Sequence, residues 1–159
     1  MPIIRELTEA DLDIMLVINQ ENLPAVGHET AESMRQIFEW SSLTLGIDVD
    51  ESLIGYCLIM KPGLPYQSTN YQWFCDRYDD FIYLDRVAFT RSHQGKGYGT
   101  KLYGEVEARS SAPLFTLEVN LEPRNEGSLR FHERLGFVEV GQHVSGSGKL
   151  VSLMAKELL

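Results

Sequence analysis

The stretch Phe81-Ile82-Tyr83-Leu84-Asp85-Arg86-Val87-Ala88-Phe89 is followed, after a short link, by Gln94-Gly95-Lys96-Gly97-Tyr98-Gly99-Thr100-Lys101. The first segment is mostly β-branched, aromatic or apolar, and it is long enough for a central strand. After the second, Tyr98, Leu102 and Val106 stand four apart with Tyr103 beside them, the spacing of one apolar helix face. The alternate glycines therefore fall at a strand-to-helix junction. Glycine lets the backbone approach a bulky anion and take positive φ, and a helix beginning there offers unpaired N–H groups and the positive end of its dipole. Charge points the same way. Residues 86–104 contain Arg86, Arg91, Lys96 and Lys101 and no Asp or Glu, in a chain of formal net charge −9. An acidic chain that keeps one segment basic predicts a polyanionic ligand there.

Spacing narrows the anion. A dinucleotide fingerprint needs its third glycine three positions after the second, whereas Gly97 and Gly99 are two apart. A Walker A loop needs Gly-Lys-Ser/Thr after four free positions, and that is absent. Gln94-x-x-Gly97-x-Gly99 resembles the coenzyme A pyrophosphate loop of the GNAT superfamily of N-acetyltransferases. The resemblance extends over about sixty residues. Val87-Ala88-Phe89 stands at the matching distance before Gln94, and Asn125, Ser128, Phe131 and Leu135-Gly136-Phe137 follow in the family's order. It implies an α/β GNAT fold in one domain over 1–159. That fold has a mixed, mostly antiparallel sheet of about seven strands and about four helices, splayed between the fourth and fifth strands.

Along the chain, Ile3 to Leu7 reads as a first strand, and Thr8 with Asp11 as a capping box opening a helix over Leu12, Met15 and Leu16. Residues 19–27 read as a loop around Pro24, and Met34, Ile37 and Phe38 mark a second helix. Leu43, Leu45, Ile47 and Val49 alternate strictly, and Asp50-Glu51 turns the chain into the apolar run Leu53 to Met60, a hairpin. Lys61 to Asp80 is expected to be a long irregular segment suited to binding. Leu114 to Asn120 predicts the next strand. Phe137 to Val144 and Leu150 to Lys156 predict a final hairpin around Ser145-Gly146-Ser147-Gly148.

Acetyl transfer to an amine needs a bound acyl carrier, a neutral nucleophile and stabilisation of developing charge. The family resemblance implies that acetyl-CoA is the co-substrate. Val87, Ala88 and Phe89 would hold its pantetheine arm and thioester, and Gln94, Gly95, Lys96, Gly97, Tyr98, Gly99 and Thr100 its pyrophosphate. Asn125 and Ser128 would contact the carrier as well; Asn125 also suits a plain helix N-cap. Glu118, in Leu117-Glu118-Val119, resembles the glutamate base of ribosomal-protein N-terminal acetyltransferases, and Asp85 is a second candidate. An outward strand position for Glu118 and an ion pair of Asp85 with Arg86 are the structural alternatives. Many family members carry a Tyr four residues before the glycine, where this chain has His132. Histidine titrates near working pH and could protonate the leaving thiolate, or simply pack beside Phe131 and Leu135. Glu21, Asp76, Asp79 and Asp80 would make an acceptor mouth negative, and Tyr66, Tyr71, Trp73, Phe74 and Tyr78 could grip an amine by cation–π contact.

The leading expectation is an N-acetyltransferase acting on a small amine, an amino acid or a peptide N-terminus by direct attack in a ternary complex. A non-catalytic acyl-CoA-binding module and a protein lysine acetyltransferase are the alternatives. Composition bounds the rest. At 159 residues the chain suits one core. Its 43% hydrophobic and 23% charged residues are ordinary for a globular protein, so no unusual class is called for. A start of Met1-Pro2-Ile3-Ile4-Arg5-Glu6 and the lack of a long apolar run predict neither signal peptide nor membrane partner, and a cytoplasmic location. Cys57 and Cys75 are expected as reduced thiols, with no metal. Net acidity argues against nucleic acid. A homodimer is compatible with the sequence.

Overall fold

The computed structural model describes residues 1–24 and 26–158. Position 25, within the loop read over 19–27, and position 159, the end of the domain drawn over 1–159, lie outside the described residues. The chain divides into two compact units, each assembled from separated segments: Met1–Met60 with Leu84–Ser110, and Lys61–Tyr83 with Ser111–Leu159.

In the first unit β1 (Ile3–Glu6) pairs antiparallel with β2 (Leu43–Val49), which pairs antiparallel with β3 (Ser52–Met60). Asp50 and Glu51 both sit at positive φ, 51° and 64°. Such a two-residue connection matches the right-handed twist of the strands it joins. Helix α1 (Leu12–Glu21) buries Leu12, Met15 and Ile18 and is entered through a short 3-10 turn at Glu9–Asp11. The expected Thr8–Asp11 capping box forms, and Asp11 also binds Arg5, whose Nε reaches Asp48 at 2.7 Å. Helix α2 (Ala31–Trp40) is capped by Thr30, whose hydroxyl accepts from Ser33 N, and it buries Met34 and Ile37.

The strand β4 (Ile82–Phe89) gives its first two residues to the second unit and the rest to the first. Helix α4 (Tyr98–Arg109) follows it and turns Leu102, Tyr103 and Val106 into the core, as the spacing predicts.

The second unit departs from expectation in one element. The segment 61–80, read as irregular, contains α3 (Thr69–Arg77), capped by the Ser68 hydroxyl, which accepts from Tyr71 N. Its composition concealed it: Thr69, Asn70, Tyr71 and Trp73 have low helix propensity. Burial of Asn70, Tyr71 and Phe74 holds the helix instead. Among the described residues there are thus five α-helices where about four were expected. β5 (Leu114–Asn120) pairs antiparallel along its whole length with β7 (Leu150–Glu157), and β7 with β6 (Val138–Val144). Helix α5 (Glu126–Arg134) lies between β5 and β6 in sequence and ends at Gly136, φ 100°, a conformation that favours glycine.

The seven strands run β1-β2-β3-β4-β5-β7-β6 across a mixed sheet, in which β4 and β5 are the parallel pair. Parallel pairing joins Ile82 to Phe115 and Tyr83 to Thr116. No described helix is long and apolar enough to cross a membrane.

Candidate active site

In the first unit the glycine loop is exposed and its conformation depends on glycine at two points. Gly95 and Gly97 have φ of 72° and 84°, and a Cβ built on either would meet nothing within 4 Å. Their requirement is therefore backbone conformation, with open space in front of them. Gly97 is the N-cap of α4, and helical hydrogen bonding starts with Lys101 N to Gly97 O at 3.3 Å. The N–H groups of Tyr98, Gly99 and Thr100 precede that bond and project from the helix end. No acidic residue stands in this first turn, so no side chain of that turn neutralises the dipole's positive end. The arrangement suits a pyrophosphate-sized anion.

The basic character of the segment is less uniform than its sequence. Lys96 and Lys101 are exposed. Arg86 is not available to an anion, which corrects the expectation that it adds to a basic face. Its guanidinium is buried and donates to Asn19 Oδ1 at 2.6 Å, Gly27 O at 2.7 Å and Glu29 Oε2 at 2.7 Å. The Asp85 side chain is buried beside it, Oδ2 lying 3.8 Å from Arg86 Nε. This is the ion-pair alternative for Asp85. Glu21 Oε1 accepts from Arg91 N at 3.2 Å, so its carboxylate is engaged within the same unit.

At the end of β4 Ala88 is buried while Val87 and Phe89 are partly open. Gly55 on β3 leaves room for the Phe89 ring, which a Cβ there would strike. Phe89 O accepts from Asn22 Nδ2 and from Gln94 Nε2, at 3.0 and 3.1 Å. The Gln94 side chain thus turns back onto the strand.

In the second unit Glu118 is half-buried on β5, and its Oε1 accepts from the Tyr83 hydroxyl at 2.5 Å. Sequence reasoning missed Tyr83. The parallel register sets Tyr83 opposite Thr116, and Glu118 lies two residues further along, on the same face. No local pattern announces a pair 35 residues apart. Tyr83 is itself held by rings, with Tyr71 at 5.4 Å and Phe74 at 5.9 Å between centroids. A carboxylate fixed by a short hydrogen bond from a rigid phenol has a set direction, and it can receive a proton.

Asn125 caps α5, its Oδ1 accepting from Ser128 N at 3.2 Å. One turn beyond Ser128, His132 is buried, and its Nδ1 lies 2.7 Å from Ser128 O. That contact requires a proton on Nδ1. The ring meets Phe131 and Phe137 edge-on, at 5.1 and 5.5 Å. Burial pulls the imidazole below its usual pKa, against a smaller opposing effect of the Ser128 carbonyl. To give up a proton from Nε2, the ring would first have to be a cation, the form that burial disfavours. The surroundings suit a neutral packed histidine better than an acid.

The aromatic residues expected at the acceptor mouth make contacts within the second unit. Tyr71 is buried, its hydroxyl donating to Lys61 O at 2.5 Å and accepting from Leu64 N at 3.1 Å. The Trp73 face is covered by the guanidinium of Arg77, 3.8 Å from the ring centroid, and the indole fills the space over Gly141. Tyr66 packs on Tyr71, and Tyr78 stacks on Phe74. Asp76, Asp79 and Asp80 are exposed. Among the described residues no cluster of His, Cys, Asp and Glu could hold a metal ion. Cys57 is buried, which pushes its thiol up to about 12, and neither cysteine forms a disulfide.

Residues 12–137 match the acetyltransferase (GNAT) family, and the chain belongs to it. No curated protein matches the chain by sequence. Among solved structures it is similar to Ard1 from Thermoplasma volcanium, with TM-score 0.80 and 16% identity over 99% of this chain and 98% of that one. It is similar also to the ribosomal-protein-S18-alanine N-acetyltransferase from Escherichia coli, with TM-score 0.75 and 17% identity over 99% and 94%. A third is yncA from Salmonella typhimurium, solved with its cofactor acetyl-CoA, with TM-score 0.72 and 18% identity over 100% and 95%. At such identities these likenesses concern the fold.

Proposed function

We propose that the chain is an N-acetyltransferase that moves an acetyl group from acetyl-CoA to a primary amine: a small amine, an amino acid or a peptide N-terminus. The observation that carries this reading is Glu118, half-buried and held by the Tyr83 hydroxyl at 2.5 Å, in a chain of the GNAT family. A module that only binds the carrier has no use for an oriented carboxylate. The likeness to an N-acetyltransferase of a ribosomal-protein alanine supports an amine acceptor.

Acetyl-CoA, when bound, supplies an activated acetyl group. The open glycine loop and the first-turn amides of α4 fit its pyrophosphate, and the backbone of Val87 to Phe89 is proposed to hold its arm. The remaining demand is on the acceptor. An aliphatic amine of pKa near 10.4 is mostly protonated at pH 7, and freeing its lone pair costs about 4 to 5 kcal/mol. Glu118 is proposed as the base that takes this proton, directly or through one water, with Tyr83 fixing the direction of the carboxylate. The amine nitrogen then forms a bond to the acetyl carbon as the carbon–sulfur bond breaks, and the second proton that the nitrogen sheds on becoming an amide goes through water to the departing thiolate. The thiol has a pKa near 8.5 and leaves readily without a dedicated acid, which accords with a neutral His132.

The test is thiol release from acetyl-CoA across a panel of aliphatic amines, amino acids and peptides. Release that depends on one class of amine is expected. No release above background with any of them, despite binding of coenzyme A, would assign the chain to carrier binding alone.

A further inference from the structure

Asn22, just past α1, makes bonds that the proposed reaction does not explain. Its Nδ2 donates to Ile18 O at 2.7 Å and to Phe89 O at 3.0 Å. Its Oδ1 accepts from Gln94 Nε2 at 3.1 Å, and that same nitrogen donates to Phe89 O at 3.1 Å. Asn22, Phe89 and Gln94 thus close a ring of three hydrogen bonds. Both hydrogens of each primary amide are used, and Phe89 O accepts two of them. An amide flip on either side chain would set like groups against each other and lose at least two bonds. The ring is therefore specified, and it spans about 70 residues of sequence to do one thing locally. It anchors the first residue of the glycine loop to the last residue of β4.

We infer that Asn22 is a positioning residue for the glycine loop, which sets the start of that loop through Gln94 and Phe89 O without touching the ligand. This rests on the reading of the loop as a coenzyme A site. The chain from Phe89 to Gln94 is a short link built on the 3-10 turn Arg91–His93, and Thr90 N donates to Ile54 O at 2.8 Å near its start. Gly95 and Gly97 beyond it sit at positive φ with open space around them. Such a loop has few contacts of its own, so an anchor at its entry limits the conformations that must be frozen when an anion binds. A second tie, Arg91 N to Glu21 Oε1, joins the same helix end to the same link.

The experiment is a double-mutant cycle on coenzyme A affinity, measured by calorimetry, with Asn22→Ala, Gln94→Ala and both together. Each single change is expected to weaken binding about tenfold, and the double change by about the same factor, because all three break one ring. A multiplicative loss of about a hundredfold would mean that Gln94 and Asn22 act separately, and would overturn the inference, as would unchanged affinity in either single variant. In Asn22→Ala the KM for acetyl-CoA should rise with the Kd, while kcat/KM for S-acetylpantetheine, which lacks the pyrophosphate, stays within about twofold. A parallel fall for both substrates would indicate general loss of structure and reject a positioning role. Gln94 is exposed, so Gln94→Ala probes the ring even if Asn22→Ala folds poorly. Failure of the unaltered protein to bind coenzyme A would overturn the cofactor reading and this inference together, and that result is distinct from equal binding by all variants.

Discussion

The glycine loop at Gln94–Lys101 and the Tyr83–Glu118 pair are built on opposite plans. The loop is one short run of chain. What it offers is backbone: positive φ at Gly95 and Gly97 and the free amides at the start of α4. The pair joins two strands whose residues are 35 apart, and what it offers is a single side chain aimed by another. A backbone site tolerates many side chains and depends on conformation. A side-chain site tolerates no change of atoms but survives wherever register and packing survive. Donor recognition is proposed to be of the first kind in this protein, and acceptor activation of the second.

Substitutions can separate the two plans. Glu118→Gln keeps shape and removes the base, so kcat with an aliphatic amine at pH 7 is expected to fall by about two orders of magnitude or more, with coenzyme A affinity unchanged. The deficit should narrow as the pH approaches the amine's own pKa, where free base is abundant, and a pH-independent deficit would contradict the base role. Gly97→Ala should act on the other plan. Its methyl meets no neighbour, so the cost is the left-handed conformation alone, about 1–2 kcal/mol. Coenzyme A affinity should drop by about tenfold or somewhat more, with kcat at saturation preserved. Tyr83→Phe deletes one hydrogen bond from the pair and should lower kcat by several-fold to about tenfold, without altering coenzyme A affinity.

The smallest effect on catalysis is expected at His132. His132→Phe should leave kcat within about twofold, because a neutral buried imidazole supplies no proton. Its mark should appear in stability. The folded-state pKa of His132 is lowered by burial, so between that value and the unfolded value near 6.5 the unfolded chain binds more protons. Stability from this residue is complete above about pH 6.5 and is lost as pH falls through that window. Melting temperatures taken from pH 7 down to pH 5 should therefore fall less steeply in His132→Phe than in the unaltered protein.

The sequence made the first plan legible and largely hid the second. Glycines at fixed spacing after an apolar strand report a conformation directly, because positive φ is costly for any other residue. Alternation in β2 and periodicity in α4 gave their elements for the same reason, since burial imposes the period. Helix α3 was lost because its residues favour other states and tertiary burial overrides them. Arg86 was misread as part of an anion-facing surface because charge in a sequence carries no direction; only the fold reveals that Asn19, Gly27 and Glu29 surround it. Tyr83 and Asn22 depend on pairings across 35 and 67 residues. Strand register and the course of a connection decide such pairings, and neither has a local signature.

The two tryptophans of the chain are divided between the compact units. Trp40 closes α2 in the first, and Trp73 lies on α3 in the second, its ring under Arg77 and over Gly141. Each unit therefore carries its own fluorophore. With Trp40→Phe the emission follows the second unit alone, and with Trp73→Phe the first. Coincident denaturant midpoints from the two single-tryptophan proteins would define residues 1–159 as one cooperative folding unit, and separated midpoints would define two.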